Sequence, residues 1–243
     1  MDIEGKVALV TGAAKRLGRT IALALAERGA EVIIHYHTSE REAHEVLALA
    51  KRLGGKPVAV RADLAASSEI DAMVKSAMRA FGRIDILVNS AAIFYRTPFS
   101  ALTETDWDRF LAVNLKAPFL LCRHVGEVMC RQGRGKIINL ADIAGTRVWA
   151  EFIPYSVSKA GLLALTTGLA KALAPAVQVN AIAPGTVLLP DDTAPDDRAR
   201  AAERVPLRRL GAPADIVRAA IYLVESDFVT GEVLAVDGGQ RLV

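Results

Sequence analysis

Short apolar runs and longer alanine- and leucine-rich stretches take turns along most of the chain. Val7–Val10, Glu31–Tyr36, 57–61, 84–88, 136–140 and 177–181 have the length and β-branched content of strands, and a last short run, Val233–Val236, would close a sheet edge. These runs are continuously apolar rather than alternating, which marks strands covered on both faces, as in a parallel sheet. Between them the periodicity predicts helices over 15–29, 39–54, 67–82, 104–132, 152–174 and 213–225. Strand and helix in strict turn, joined by right-handed crossovers, predict an α/β fold: a doubly wound parallel sheet in a single domain spanning 1–243. One stretch, 186–206, breaks the rhythm. It carries Asp191, Asp192, Asp196 and Asp197, then Arg198, Arg200 and Arg204, too polar for a core element. It reads as a loop and short helix covering a substrate, or as a solvated surface excursion.

At 243 residues with 52% hydrophobic content, the chain can bury one large core. Its 30 basic and 27 acidic residues are dispersed, with no basic tract of the kind that displaces counterions from a phosphate backbone, so nucleic-acid binding is not expected. Cys122 and Cys130 lie in an apolar helical stretch without a C-x-x-C or a histidine cluster, so neither metal nor redox work is expected of them. The first apolar run is too short for a signal peptide or a membrane span, and a cytoplasmic protein is expected.

Candidate chemistry concentrates in three places. Tyr155 and Lys159, four residues apart in a predicted helix, share a face, where an ammonium can stabilise a phenolate and make the phenol a proton donor near neutral pH. That pair reads as the general acid of a reductase. Asp142, thirteen residues before the tyrosine, adds a second proton-handling carboxyl and points to an unusual substrate; the competing reading is a carboxyl that only bonds backbone at a strand end. The third place is the turn after the first strand, Thr11-Gly12-Ala13-Ala14-Lys15-Arg16-Leu17-Gly18, which runs into a helix. Glycines there let backbone amides approach a pyrophosphate at a helix N-terminus, although an ordinary tight turn has the same residues. The second strand ends His35-Tyr36-His37-Thr38-Ser39 with no carboxylate for a ribose hydroxyl, so a 2′-phosphate is tolerated and NADPH is expected over NADH. Arg16, with Lys15 and the Thr38 and Ser39 hydroxyls, would supply the charge and donors. His35 and His37 read as strand-end residues lining an adenosine pocket rather than metal ligands, and no metal is expected.

Taken together, Thr11-Gly12…Gly18, Asp63 after the third strand, Asn89-Ser90-Ala91 after the fourth, Asn114, Tyr155/Lys159, Pro184-Gly185 and Asp237-Gly238-Gly239 resemble the short-chain dehydrogenase/reductase family over essentially the whole chain. Two positions depart from it: Arg16 replaces the middle glycine, and Asp142 replaces a serine. Both departures, the His-Tyr-His strand end and the segment Phe94-Tyr95-Arg96-Thr97-Pro98 resemble the pteridine reductase branch; dihydromonapterin and dihydrofolate reductases share the aspartate spacing.

The resemblance implies a Rossmann fold with Gly12, Lys15, Arg16, Leu17, Gly18, His35, Tyr36, His37, Thr38 and Ser39 around NADPH. It also implies that Asp63 binds the adenine, beside Leu64, Asn89, Ser90, Ala91, Pro184 and Gly185, and that Tyr155 and Lys159 reach the nicotinamide end. Lys159 would lower the tyrosine pKa, and Asn114 would kink the long helix and anchor a water linking the lysine to solvent. Phe94 would stack on a flat substrate, or only cover the rim. Asp142 and Tyr155 would face a pterin or dihydropterin whose C=N or C=C–N system is reduced. An alternative is a carbonyl reductase of the 3-oxoacyl-[acyl-carrier-protein] type, and a third possibility is a nucleotide-sensing protein without turnover. Family analogy implies a homotetramer with 222 symmetry built through the helices over 104–132 and 152–174.

Overall fold

Four consecutive fully buried residues, Val7–Val10, form β1 and place it at the centre of the sheet. The computed structural model describes residues 1–189 and 193–243. β2 (Glu31–Tyr36), β3 (Val58–Arg61), β4 (Ile86–Asn89), β5 (Gly135–Leu140), β6 (Val177–Pro184) and β7 (Val233–Val236) complete a seven-stranded parallel sheet in the order β3-β2-β1-β4-β5-β6-β7. The order reverses between β1 and β4, and at such a switch point the connections leave in opposite directions and open a crevice beyond the strand ends.

Each face of the sheet is covered because the helices carry an apolar stripe on one side. On one face lie α1 (Arg16–Ala26), α2 (Glu40–Arg52) and α8 (Pro213–Glu225), with stripes such as Ala43, Val46 and Ala50 of α2 packed over β2, beside Val32 and Ile34. On the other lie α3 (Ser67–Phe81) and α5 (Ala117–Gln132), where Ile70, Met73, Leu121 and Val125 pack on Leu9, Leu87 and Ile137. α6 (Ile153–Leu173) sits beside α5 and brings Leu162 against Ala141 and Ala181.

The expected 104–132 helix is interrupted. It comprises α4 (Glu104–Leu111), a π turn at Ala112–Lys116 and then α5. Pro118 lacks the N–H that would bond the Asn114 carbonyl in a regular α-helix, which accounts for the break in register. β6 runs on to Pro184, three residues beyond its expected end, and β4 begins two residues late at Ile86. Within the polar excursion 186–206, a short helix, α7 (Pro195–Glu203), forms as expected. Asp191 and Asp192 lie outside the described residues. Among the described residues no helix is long and apolar enough to cross a membrane.

Candidate active site

A cleft of about 680 Å³ runs across the carboxyl ends of the strands, lined by residues that follow β1 to β6 in turn. Its dinucleotide end is shaped by Gly12 and Gly18. Gly12 has φ +63°, and a Cβ there would lie 2.9 Å from the Ala91 Cα; a Cβ on Gly18 would lie 2.3 Å from the Gly12 carbonyl oxygen. Neither position admits another residue without moving backbone. Thr11 Oγ1 accepts the Ser90 and Ala91 N–H groups at 2.9 and 3.1 Å, which ties this turn to the end of β4. No acidic side chain occupies the first turn of α1, so its amino end faces the cleft without a competing carboxylate. The sterically required glycines and the free helix start are what a dinucleotide pyrophosphate needs.

Most of the expected cofactor residues meet around this end. Lys15, Arg16, Leu17, Ser90, Ala91, Pro184 and Gly185 line the cleft, as do Tyr36, His37, Thr38, Ser39, Asp63 and Leu64 beyond β2 and β3. The two cations diverge, however. Lys15 turns to the first turn of α2 and pairs with Glu42 at 3.1 Å, whereas Arg16, with φ 51°, donates to the Leu188 carbonyl at 2.7 Å on the far side of the cleft. The cation beside Ser39 and the start of α2 is therefore Lys15 rather than Arg16. His37 Nε2 lies 3.9 Å from Asp63, whose other oxygen accepts the Ala65 N–H at 2.9 Å. His35 is buried, its Nδ1 accepting the Gly12 N–H and its Nε2 against the Ala62 carbonyl, each at 3.1 Å. Asn89 departs from expectation: its side chain lies under the cleft floor, where Nδ2 donates to Asn139 Oδ1 at 2.8 Å, so the amide knits β4 to β5 instead of facing a ligand.

The catalytic candidates converge. The Tyr155 hydroxyl donates to Asp142 Oδ2 at 2.8 Å, while Asp142 Oδ1 accepts the Ala144 N–H at 2.8 Å. The carboxyl thus bonds strand-end backbone and the phenol at once, combining both readings of the sequence. Burial pushes the Asp142 carboxyl above the usual carboxylate range, against the opposing pull of its hydrogen bonds and of Lys159. The Tyr155 phenol is raised well above 10 by burial and then by the neighbouring Asp142 charge. Lys159 Nζ donates to the Leu140 carbonyl at 2.6 Å and stands 5.7 Å from the Tyr155 ring centroid, with burial lowering its pKa to about 8. The lowering of the tyrosine pKa expected from Lys159 is not met: burial and Asp142 set the upward direction, and the ammonium is bound to the Leu140 carbonyl. Tyr155 is held as the protonated phenol, the state a proton donor needs.

Asn114 sits in the π turn with its Oδ1 on the Ile93 N–H (2.9 Å) and its Nδ2 on the Ile93 carbonyl (3.1 Å) and Ser158 Oγ (3.2 Å). It therefore joins the interrupted helix to the loop after β4 and to the helix that carries Tyr155. Phe94, at 57% exposure, lines the cleft; its ring stacks on Phe152 (4.7 Å, 2°) and meets Tyr155 edge-on at 4.8 Å. Trp149 completes this wall and was not singled out from the sequence, where its only signal is an aromatic six residues before Tyr155. The pairing of Thr97 with Phe152 folds the two loops together and brings these rings to the phenol. Thr186, Val187, Leu188 and Leu189 also line the cleft, so the polar excursion does begin at the site.

Comparison with known proteins agrees with this geometry. A family model described as Enoyl-(Acyl carrier protein) reductase matches residues 12–241. An uncharacterized oxidoreductase of Thermotoga maritima is 37% identical over all of both chains. The 3-oxoacyl-[acyl-carrier-protein] reductase of Synechocystis sp. is 35% identical, covering 98% of this chain and 97% of its own. A crystal structure of a putative short-chain alcohol dehydrogenase from Sinorhizobium meliloti 1021 superposes with a TM-score of 0.92 at 34% identity, covering 99% of this chain and 98% of that one. Likeness of this extent reaches every element that builds the cleft, and the chain belongs to the short-chain dehydrogenase/reductase family of oxidoreductases.

Proposed function

We propose that the protein is an NADPH-dependent reductase of a ketone-type carbonyl, in the manner of the 3-oxoacyl reductases among its relatives. The observation that carries the reading is the Tyr155 hydroxyl, held protonated at the cleft wall beside Lys159. Relatives named as 3-oxoacyl reductases support the substrate class. Bound NADPH would supply a hydride. Gly12, Gly18, Asp63 and Gly185 would hold the dinucleotide, with Lys15, Thr38 and Ser39 toward a 2′-phosphate. Tyr155 delivers the proton to the carbonyl oxygen, and Lys159 keeps positive charge beside the phenolate that remains. Asp142 stands beside the phenol where the family has a hydroxyl, and its Oδ2, which accepts the Tyr155 O–H, aims that group into the cleft.

One observation favours a second reading, a pterin or dihydropterin as substrate. A carboxyl can accept from ring N–H and amino groups as a hydroxyl cannot at the same cost, and Phe94 with Trp149 offers flat apolar cover. The test is NADPH consumption with an acetoacetyl thioester, dihydrobiopterin and dihydrofolate, in the parent and Asp142→Ser. Turnover of the thioester that survives the substitution supports the carbonyl reading. Turnover of the dihydropterins that the substitution abolishes supports the pterin reading, and no turnover of any of them counts against both. The proposal includes a cytoplasmic homotetramer built through α5 and α6, whose exposed Phe119 and Val157 are suited to contact between subunits.

A further inference from the structure

Among the described residues, His35 alone bonds, through one side chain, both the glycine turn and the residue preceding Asp63. It lies next to the end of β2 and is 2% exposed. A carbonyl can only accept, so Nε2 must carry the proton toward Ala62, which leaves Nδ1 bare to accept the Gly12 N–H. A single neutral tautomer satisfies both contacts. The His35 carbonyl accepts the next amide of the turn, Ala13 N–H, at 3.0 Å, so main chain and side chain hold consecutive residues. An aliphatic residue, which the apolar strand pattern calls for here, would leave a buried N–H without its acceptor. Burial also keeps the ring neutral, pushing its pKa down to about 4, with His37 acting in the same direction and the Ala62 carbonyl against it.

We infer that His35 is a positioning residue for the dinucleotide: it sets the glycine turn and the Asp63 segment at a fixed separation and acts on the cofactor through them. The inference rests on the reading that the cleft takes a dinucleotide. The ring and carbonyl of His35 commit the Gly12 and Ala13 N–H groups to protein, which leaves a pyrophosphate to the amides further along the turn.

Three substitutions separate this role from packing. In His35→Asn the amide oxygen falls where Nδ1 stands and keeps the acceptor for Gly12; in His35→Gln the longer amide reaches Ala62 instead; His35→Leu keeps neither. Dissociation constants for NADPH and NADH are measured by fluorescence titration, alongside thermal unfolding without dinucleotide. Binding should weaken about 10-fold or more in the leucine and glutamine variants and stay within about threefold of the parent in the asparagine variant, the range expected for one buried hydrogen bond. The loss should appear in KM for the dinucleotide by a similar factor and fall less on kcat, whereas a purely structural role would not split the two. Asparagine binding as weakly as leucine, or three equal losses of unfolding temperature with affinity unmoved, overturns the inference. Failure of the parent itself to bind either dinucleotide would instead remove the reading of the cleft on which it rests.

Discussion

Replacing Lys159 by methionine should stabilise the protein at neutral pH while removing its activity. Lys159 is 3% exposed and donates to the Leu140 carbonyl, and burial lowers its pKa from 10.5 to about 8. That gap, at about 1.36 kcal/mol per pH unit, means that holding the ammonium charged in the fold costs about 3 kcal/mol. The unfolded chain keeps a pKa near 10.5 and binds the proton more tightly than the folded chain does. The cost is therefore present in full below about pH 8 and fades as the pH rises through 10.5. Methionine is of similar length and uncharged, but it leaves the Leu140 carbonyl without this donor, which returns about 1 kcal/mol. The net gain at pH 7 is about 2 kcal/mol, roughly 4–8 °C in unfolding temperature for a chain of this size. Urea denaturation of parent and variant at pH 7 and pH 10 reads the difference directly, and activity should fall by about a hundredfold or more with the loss of the cation beside Tyr155. A variant less stable than the parent at pH 7, or a gain of the same size at both pH values, would refute the reasoning.

Gly12→Ala forces a Cβ against the Ala91 backbone from a left-handed residue; it should lower stability by about 1–3 kcal/mol and abolish dinucleotide binding, seen together in melting curves with and without NADPH. Lys15→Ala should raise KM for NADPH about 10-fold and leave KM for NADH within about twofold; equal changes for the two would place the 2′-phosphate elsewhere. Light scattering should return four times the 25.9 kDa chain mass, and a monomer would discard the assembly.

The sheet was legible in the sequence because strands buried on both faces are continuous apolar runs, and the helices because each carries one apolar stripe. The π turn was not, since periodicity averaged over 104–132 hides a change of register, and only Pro118 hints at it. The Tyr155–Lys159 face followed from helical spacing. The dual bonding of Asp142 did not, because backbone direction after β5 decides which oxygen meets Ala144 and which meets the phenol. Side-chain direction likewise separated Lys15 from Arg16 and turned Asn89 beneath the floor. Trp149 was missed because it reaches the cleft through a pairing between segments more than fifty residues apart, Thr97 and Phe152.

The interruption at Ala112–Lys116 bears on how the chain tolerates changes in length. A π turn carries one residue more than an α turn of the same reach, so a residue deleted here would be absorbed by the turn, whereas one deleted within α5 would rotate everything after it by about 100°. Leu121, Cys122, Val125 and Met129, all fully buried, would keep facing the sheet in the first case and swing off it in the second. Shortening α5 by one residue should therefore harm the fold more than shortening the turn before it, whose loss would fall on the Asn114 bonds to Ile93.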